Sequence, residues 1–215
     1  MIIIERPYTV AIDPGHQRRG NPTQEPIGPG STNTKDRVAP GMRGVYSGLA
    51  EYELNMKVGL LLRDELEKRG YRVIMTRTEN DVDISNAERA RIAESANADI
   101  FVRIHANASD DPSDSGALAI CMTPDNPYCA WLYQESRRLC DVLLDALTAA
   151  TGAVNRGVWE TDTMSGINWA SMPVTIVEMG FMSNEREDRL MAMPEYQLKL
   201  AYGIANGIDR YFAIV

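Results

Sequence analysis

The sequence predicts an α/β fold of three layers, a mostly parallel twisted sheet with helices on both faces. Three observations predict it. Short apolar runs recur along the chain (YTVAID at 8–13, YRVIMT at 71–76, DIFVRI at 99–104, VTIVEM at 174–179), each of strand length and lacking the alternation of a half-exposed strand. Between them lie segments whose apolar residues recur at helical spacing. Strands alternating with helices in this way join through parallel crossover connections.

Tyr8 to Asp13 is the first strand, stopped by Pro14 and Gly15. Residues 17–43, rich in Gly, Pro, Ser, Thr and Asn, read as a long loop. From Glu51 a helix is marked by Leu54, Val58, Leu61, Leu62 and Leu66, with Gly70 as its stop. A strand over 71–76 follows, then a helix from Ser85, whose spacing to Glu88 is that of a capping box, to about Ala96. The strand over 99–104 ends at His105. Leu118 to Met122 is a further strand, Asn126 before Pro127 marks a helix start that runs to about Ala150, and residues 155–172 read as a second polar loop. Val174 to Met179 is a strand with Glu178 near its end. Asn184 and Glu187 open a short helix, and Leu198 to Tyr211 is a closing one.

In open parallel sheets ligands bind beyond the carboxyl ends of the strands. His16, His105 and Glu178 each lie at such an end, and the helix starting at Glu51 can present its carboxylate there too. The chain contains two histidines in all, so both imidazoles fall in this one context. Two imidazoles and a carboxylate are a donor set typical of catalytic zinc, which keeps a fourth position open for water and lowers that water's pKa to roughly 7. Glu178, flanked by Ile176, Val177, Met179 and Phe181, suits proton transfer, because an apolar setting raises a carboxyl pKa. Asp13 is either a partner of a metal-bound imidazole or a turn residue. Ser183 and Asn184 read as capping residues, and Trp159 and Trp169 either flank a substrate or pack.

Four segments carry a resemblance: Asp13-Pro14-Gly15-His16; Gly44-Val45-Tyr46-Ser47-Gly48-Leu49-Ala50-Glu51 with Asn55 and Leu60; Ile104-His105-Ala106-Asn107-Ala108; and Val177-Glu178-Met179-Gly180-Phe181-Met182-Ser183-Asn184. In this order, over nearly the whole chain, they resemble the zinc N-acetylmuramoyl-L-alanine amidases of the amidase 3 type, as do Asn155-Arg156-Gly157-Val158 and Thr76-Arg77. The resemblance implies that His16, Glu51 and His105 bind Zn2+ and that Glu178 is the catalytic glutamate. The bond cut would be the amide between the lactyl group of N-acetylmuramic acid and the L-alanine of the stem peptide. It further implies that residues 1–215 are a single catalytic domain whose partner is peptidoglycan, acting outside the cell, in the wall or the periplasm. A monomer is expected, with wall-binding or regulatory domains appended in a longer chain. Two departures stand out: Arg103 occupies a position where the family usually has a small serine, and the 17–43 segment is longer than usual.

Composition narrows the alternatives. A formal net charge of -8 argues against binding a phosphate backbone. No apolar run reaches the roughly 20 residues that span a bilayer, and the stretch from Met1 to Glu5 is too short for the core of a signal peptide. The three cysteines, Cys121, Cys129 and Cys140, show no paired spacing and read as packing residues. The remaining alternatives are a zinc peptidase acting on another peptide or amide, and a wall-binding module with a dead site. Retention of all four key residues argues against the latter.

Overall fold

The computed structural model describes residues 5–213; residues 214–215 and residues 1–4, which carry most of the short apolar start, lie outside them. The strands are β1 (Thr9–Pro14), β2 (Asn21–Pro26), β3 (Thr34–Val38), β4 (Arg72–Met75), β5 (Ile100–Asn107), β6 (Ala117–Cys121), β7 (Asn155–Glu160) and β8 (Val174–Phe181). The helices are α1 (Glu51–Lys68), α2 (Asn86–Ser95), α3 (Tyr133–Thr151), α4 (Ser165–Asn168), α5 (Glu185–Met191) and α6 (Pro194–Tyr211). Six strands form one sheet in the order β4-β1-β5-β8-β6-β7. The first four are mutually parallel, β6 runs antiparallel to β8, and β7 is parallel to β6. The mostly parallel α/β sheet is therefore present, with its last two strands reversed.

The central strands are buried on both faces, as their continuous apolar runs require. One face is covered by α1, α3 and α6, and the other by α2 and α4. Ser85 caps α2 in a complete capping box with Glu88. At α5 the reciprocal half is missing: Asn184 accepts from the Glu187 backbone N–H, while the Glu187 carboxylate accepts from Phe181 and Gly116 instead. The three cysteines are buried and free. Among the described residues no helix is long and apolar enough to cross a membrane.

Three segments differ from the sequence expectation. The expected loop 17–43 contains the antiparallel β2–β3 hairpin, whose strands lack the apolar alternation that marks a core strand because most of their side chains are exposed. The helix expected from Asn126 begins only at Tyr133. The Asn126 side chain accepts from the N–H groups of Tyr128 and Cys129, making a turn, and a short 3-10 segment (Ala130–Leu132) intervenes. The second expected loop holds the edge strand β7 and the single turn α4. His105 is also two residues inside β5 instead of beyond it.

α6 presents Gly203 and Gly207 to α3. A Cβ on Gly207 would lie 2.6 Å from the Leu143 Cα, and one on Gly203 2.8 Å from the Leu147 Cα. The obstructing atoms are backbone, so the helices approach closely only over glycine. Gly207→Ala gains about 1 kcal/mol of helix propensity, but overpacking outweighs it. A net loss of about 1–3 kcal/mol is expected, read as a lower urea midpoint at unchanged slope.

Candidate metal centre and its cleft

β1 leaves the sheet after Pro14, and the next carbonyls find their donors in side chains. Arg77 Nε donates to the Pro14 carbonyl at 2.7 Å and its Nη2 to Gly15 at 3.1 Å. Arg89 donates from Nη1 to Pro14 and from Nη2 to His16, both at 3.0 Å. Under this clamp His16 takes φ +59°, a left-handed conformation uncommon for a residue with a Cβ. Gly15 is required for another reason: a Cβ there would overlap the His105 imidazole. Glu51, in the first turn of α1, is reached by Asn55 one turn on, which donates from Nδ2 to both the Gly15 carbonyl and Glu51 Oε1.

These supports bring together the three expected ligands. His16 Nε2 lies 3.1 Å from Glu51 Oε1 and 3.1 Å from His105 Nδ1, which is 3.2 Å from Glu51 Oε1. Four ligands at roughly 2.0–2.1 Å in a tetrahedron are about 3.3 Å apart, so the triangle has nearly the edge a zinc site needs. Its chemistry fits as well. His16 Nδ1 is 2.8 Å from the Ala39 carbonyl, which fixes its proton there and leaves a lone pair on Nε2. Glu51 Oε1 already accepts from Asn55 and Ala106, while Oε2 accepts from Met42. Acceptors therefore converge on one point, where a cation resolves the conflict. His16, Glu51 and His105 form the one group of metal-ligating side chains with such proximity among the described residues.

Burial pushes the His105 imidazole down to about 4, against the opposing pull of Glu51, so it is neutral and ligand-competent at pH 7. Burial works against ionisation of Glu51, but its close contacts with the His105 and His16 imidazoles outweigh it and hold the carboxyl well below its usual range. Glu178 is directly abreast of His105 in the β5–β8 register. Burial, and then the Glu51 charge, push its carboxyl up to about 8 against the pull of Arg103. Its Oε2 has no hydrogen-bond partner among the described residues. No ion pair joins Glu178 to an arginine among the described residues.

Two depressions meet at these residues. The deeper is a cleft of about 530 Å³ between the β2–β3 hairpin, α4 and the sheet; Arg103, Asn86, Ile120 and Ile176 are among its lining residues. The second is a shallower groove between residues 39–42 and 106–108. Trp169 is a packing residue, donating from Nε1 to the Pro26 carbonyl at the base of the hairpin, and Trp159 is half exposed on β7. Ser183 serves no cap; its hydroxyl accepts from the Ser109 N–H.

Asp13 fills neither role expected of it. It touches no imidazole: its carboxylate, fully buried, pairs with Arg89 at 2.7 Å and Arg103 at 2.8 Å and accepts from the Thr76 hydroxyl. Sequence reasoning missed that these arginines form one cluster, because a buried ion pair carries no local pattern; Arg103 and Thr76-Arg77 were its visible traces. It also missed Asp188. That carboxylate accepts from the N–H groups of Tyr46 and Ser47 and from the Ser47 hydroxyl, and so holds the turn that leads into Glu51.

Comparison with known proteins follows the same lines. A family model described as N-acetylmuramoyl-L-alanine amidase matches residues 10–210. The chain is 30% identical over 206 residues to the N-acetylmuramoyl-L-alanine amidase LytC of Bacillus subtilis, covering 95% of this chain and 35% of that protein. It is 27% identical to the germination-specific N-acetylmuramoyl-L-alanine amidase of the same organism, covering 80% of this chain and 77% of that one. The crystal structure of the N-acetylmuramyl-L-alanine amidase Ami1 from Mycobacterium smegmatis superposes with a TM-score of 0.87 at 28% identity, covering 96% of this chain and 97% of that one. The chain thus spans about a third of the length of LytC and nearly all of the mycobacterial structure.

Asp13 sets an acid limit on stability. Burial opposes its ionisation, yet Arg89 and Arg103 overcome this and hold its folded-state pKa below the ordinary value of 3.8. A depressed carboxyl contributes stability that is complete above its unfolded pKa and is lost as the pH falls below it. Asp13→Asn is expected to destabilise by about 3–5 kcal/mol at pH 7, because two buried guanidinium groups lose their counter-charge. Its stability should also fall less steeply than that of the parent below about pH 4. Denaturant titrations of both proteins between pH 2.5 and 7 measure both effects.

Proposed function

The chain belongs to the N-acetylmuramoyl-L-alanine amidase family, whose members are peptidoglycan hydrolases, and from this premise we propose that its residues 1–215 act as a single zinc-dependent catalytic domain. The reaction is hydrolysis of the amide between the lactyl group of N-acetylmuramic acid and the L-alanine of the stem peptide. The family acts on cell wall, and the place of action proposed here is outside the cytoplasm, in the wall or periplasm. The observation that carries the reading is the triangle of lone pairs on His16 Nε2, Glu51 Oε1 and His105 Nδ1, with edges of 3.1–3.2 Å, beside an unpartnered Glu178 carboxyl.

His16, Glu51 and His105 hold the zinc. When bound, zinc supplies Lewis acidity that polarises the amide carbonyl and acidifies water enough for attack at neutral pH. The protein's own part is proton handling and positioning. Glu178 takes the proton of the attacking water and returns it to the nitrogen of the departing L-alanine. A carboxyl raised to about 8 exchanges protons in both directions near neutrality. Among the described residues no hydrogen bond engages its Oε2, so the carboxyl is not committed to a structural partner. The neutral His105 and the Ala39-anchored His16 keep their lone pairs directed at the metal throughout.

The direct test is incubation of the zinc-loaded protein with muropeptide glycan chains: free stem peptides with an L-alanine amino terminus should appear, and intact chains after prolonged incubation would overturn the reading. Glu178→Gln should retain one zinc per chain by elemental analysis while losing about 10²–10⁴ of kcat; loss of the metal would instead make Glu178 a ligand. Removal of the metal with a chelator should abolish turnover, and stoichiometric Zn2+ should restore it. His16→Ala should bind no zinc under the same conditions.

A further inference from the structure

Arg103 reaches into the deeper cleft from β5, on the face that carries His105 and two positions before it. Its Nε is committed to Asp13 at 2.8 Å and its Nη2 to the Asn86 side chain at 2.7 Å. Nη1 makes no hydrogen bond among the described residues. Asp13 is one anion shared between two cations, Arg89 and Arg103, so an excess of positive charge remains at the cleft floor. Side-chain exposure of Arg103 is 4%; the group is held in place, partly desolvated, where an electrostatic contact is strongest. Gly166 on α4 makes room for it, since a Cβ there would overlap Nη1. The guanidinium and the glycine are fitted to one another.

The two depressions differ in what they can accept. A glycan strand continues in both directions from the muramoyl unit and needs an open path, such as the groove between 39–42 and 106–108. A stem peptide is a narrow branch and can enter the deeper cleft under the hairpin. Residues two apart on a strand are about 6.6 Å apart. A group on the residue after L-alanine lies about 6–7 Å from the scissile nitrogen when the branch is extended.

We propose that Arg103 is a specificity-determining residue, and that it selects stem peptides with a carboxylate on the residue following L-alanine over those in which that group is an amide. This rests on the amidase reading for the identity of the branch. The anion accepts from Nη1, and its charge offsets the surplus of the Asp13–Arg89–Arg103 cluster; an amide presents a weaker acceptor and no charge.

Two measurements test it. With N-acetylmuramoyl-L-Ala-D-Glu and its α-amide, N-acetylmuramoyl-L-Ala-D-isoglutamine, each with the γ-carboxyl blocked as a methylamide, kcat/KM should favour the acid by about tenfold, chiefly through KM. In Arg103→Gln the ratio should fall to about one, and in Arg103→Lys the preference should be kept in part. A parent ratio near one, or a ratio unchanged in Arg103→Gln, would overturn the assignment. The second measurement is calorimetric titration of the zinc-loaded protein with the leaving peptides alone, L-Ala-D-Glu and L-Ala-D-isoglutamine blocked at the γ-carboxyl in the same way, which needs no turnover. Discrimination there, lost in Arg103→Gln, supports Arg103 even if neither muramoyl substrate is cut, an outcome that would count against the amidase reading alone. Equal binding of the two dipeptides would sink the Arg103 assignment whatever the activity.

Discussion

Beyond Pro14 the chain turns out of the sheet, and the carbonyls of Pro14, Gly15 and His16 lose their strand partners while still inside the protein. Carbonyls stranded in this way require donors, and Arg77, Arg89 and Asn55 supply them. The guanidinium groups bring charge that itself has to be balanced within the fold, and Asp13, the last-but-one residue of β1, provides the balance while pairing with Arg103 on the neighbouring strand. One cluster thus fixes the exit of β1, the height of β5 and the left-handed turn at His16. Strain of about 1–3 kcal/mol at such a residue persists only where the surroundings over-determine it, and five side-chain hydrogen bonds to three successive carbonyls do so here.

Beside this cluster, two glutamates contrast in their ionisation. Glu51 and Glu178 are both largely removed from water, and burial alone would raise both. Glu51 collects two imidazoles and three N–H donors, from Asn55, Ala106 and Met42, and stays ionised. Glu178 faces the Glu51 charge with its buried Oε2 unpartnered among the described residues, and its proton is retained to about 8. Under the proposed function, two residues of one type are thereby given opposite tasks, metal ligation and proton transfer, by their environments.

Much of this was legible in the sequence, and what was legible shares a physical basis. Strands buried on both faces announce themselves as apolar runs, so β1, β5 and β8, and with them the convergence of His16, His105 and Glu178, follow from pattern. Glu51 did not follow from pattern, because a helix start favours a glutamate in any case; the wording around it identified it. The β2–β3 hairpin and β7 escaped because edge strands bury little, so their residues carry the polarity of loops. Arg77, Arg89 and Asp188 escaped for a different reason. Most of their partners are distant in the chain, backbone atoms among them, up to 142 residues away, and no local spacing encodes a bond of that kind.

Arg103 shows how a visible departure differs in meaning from an invisible one. A charged residue inside an apolar strand run is conspicuous, and burying it is unfavourable unless it is paired. The pairing is met by Asp13, which leaves two ways to regard the position. If counter-charge for Asp13 were the whole requirement, Arg89 alone would satisfy it, with both groups fully enclosed and a small residue sufficient at 103. Instead a second guanidinium is present, one of its nitrogens is left without a protein partner, and the helix turn beside it has a glycine where any other residue would collide. A surplus donor built into the floor of a cleft is costly in a protein that has no use for it, and the cleft leads directly to His105 and Glu178.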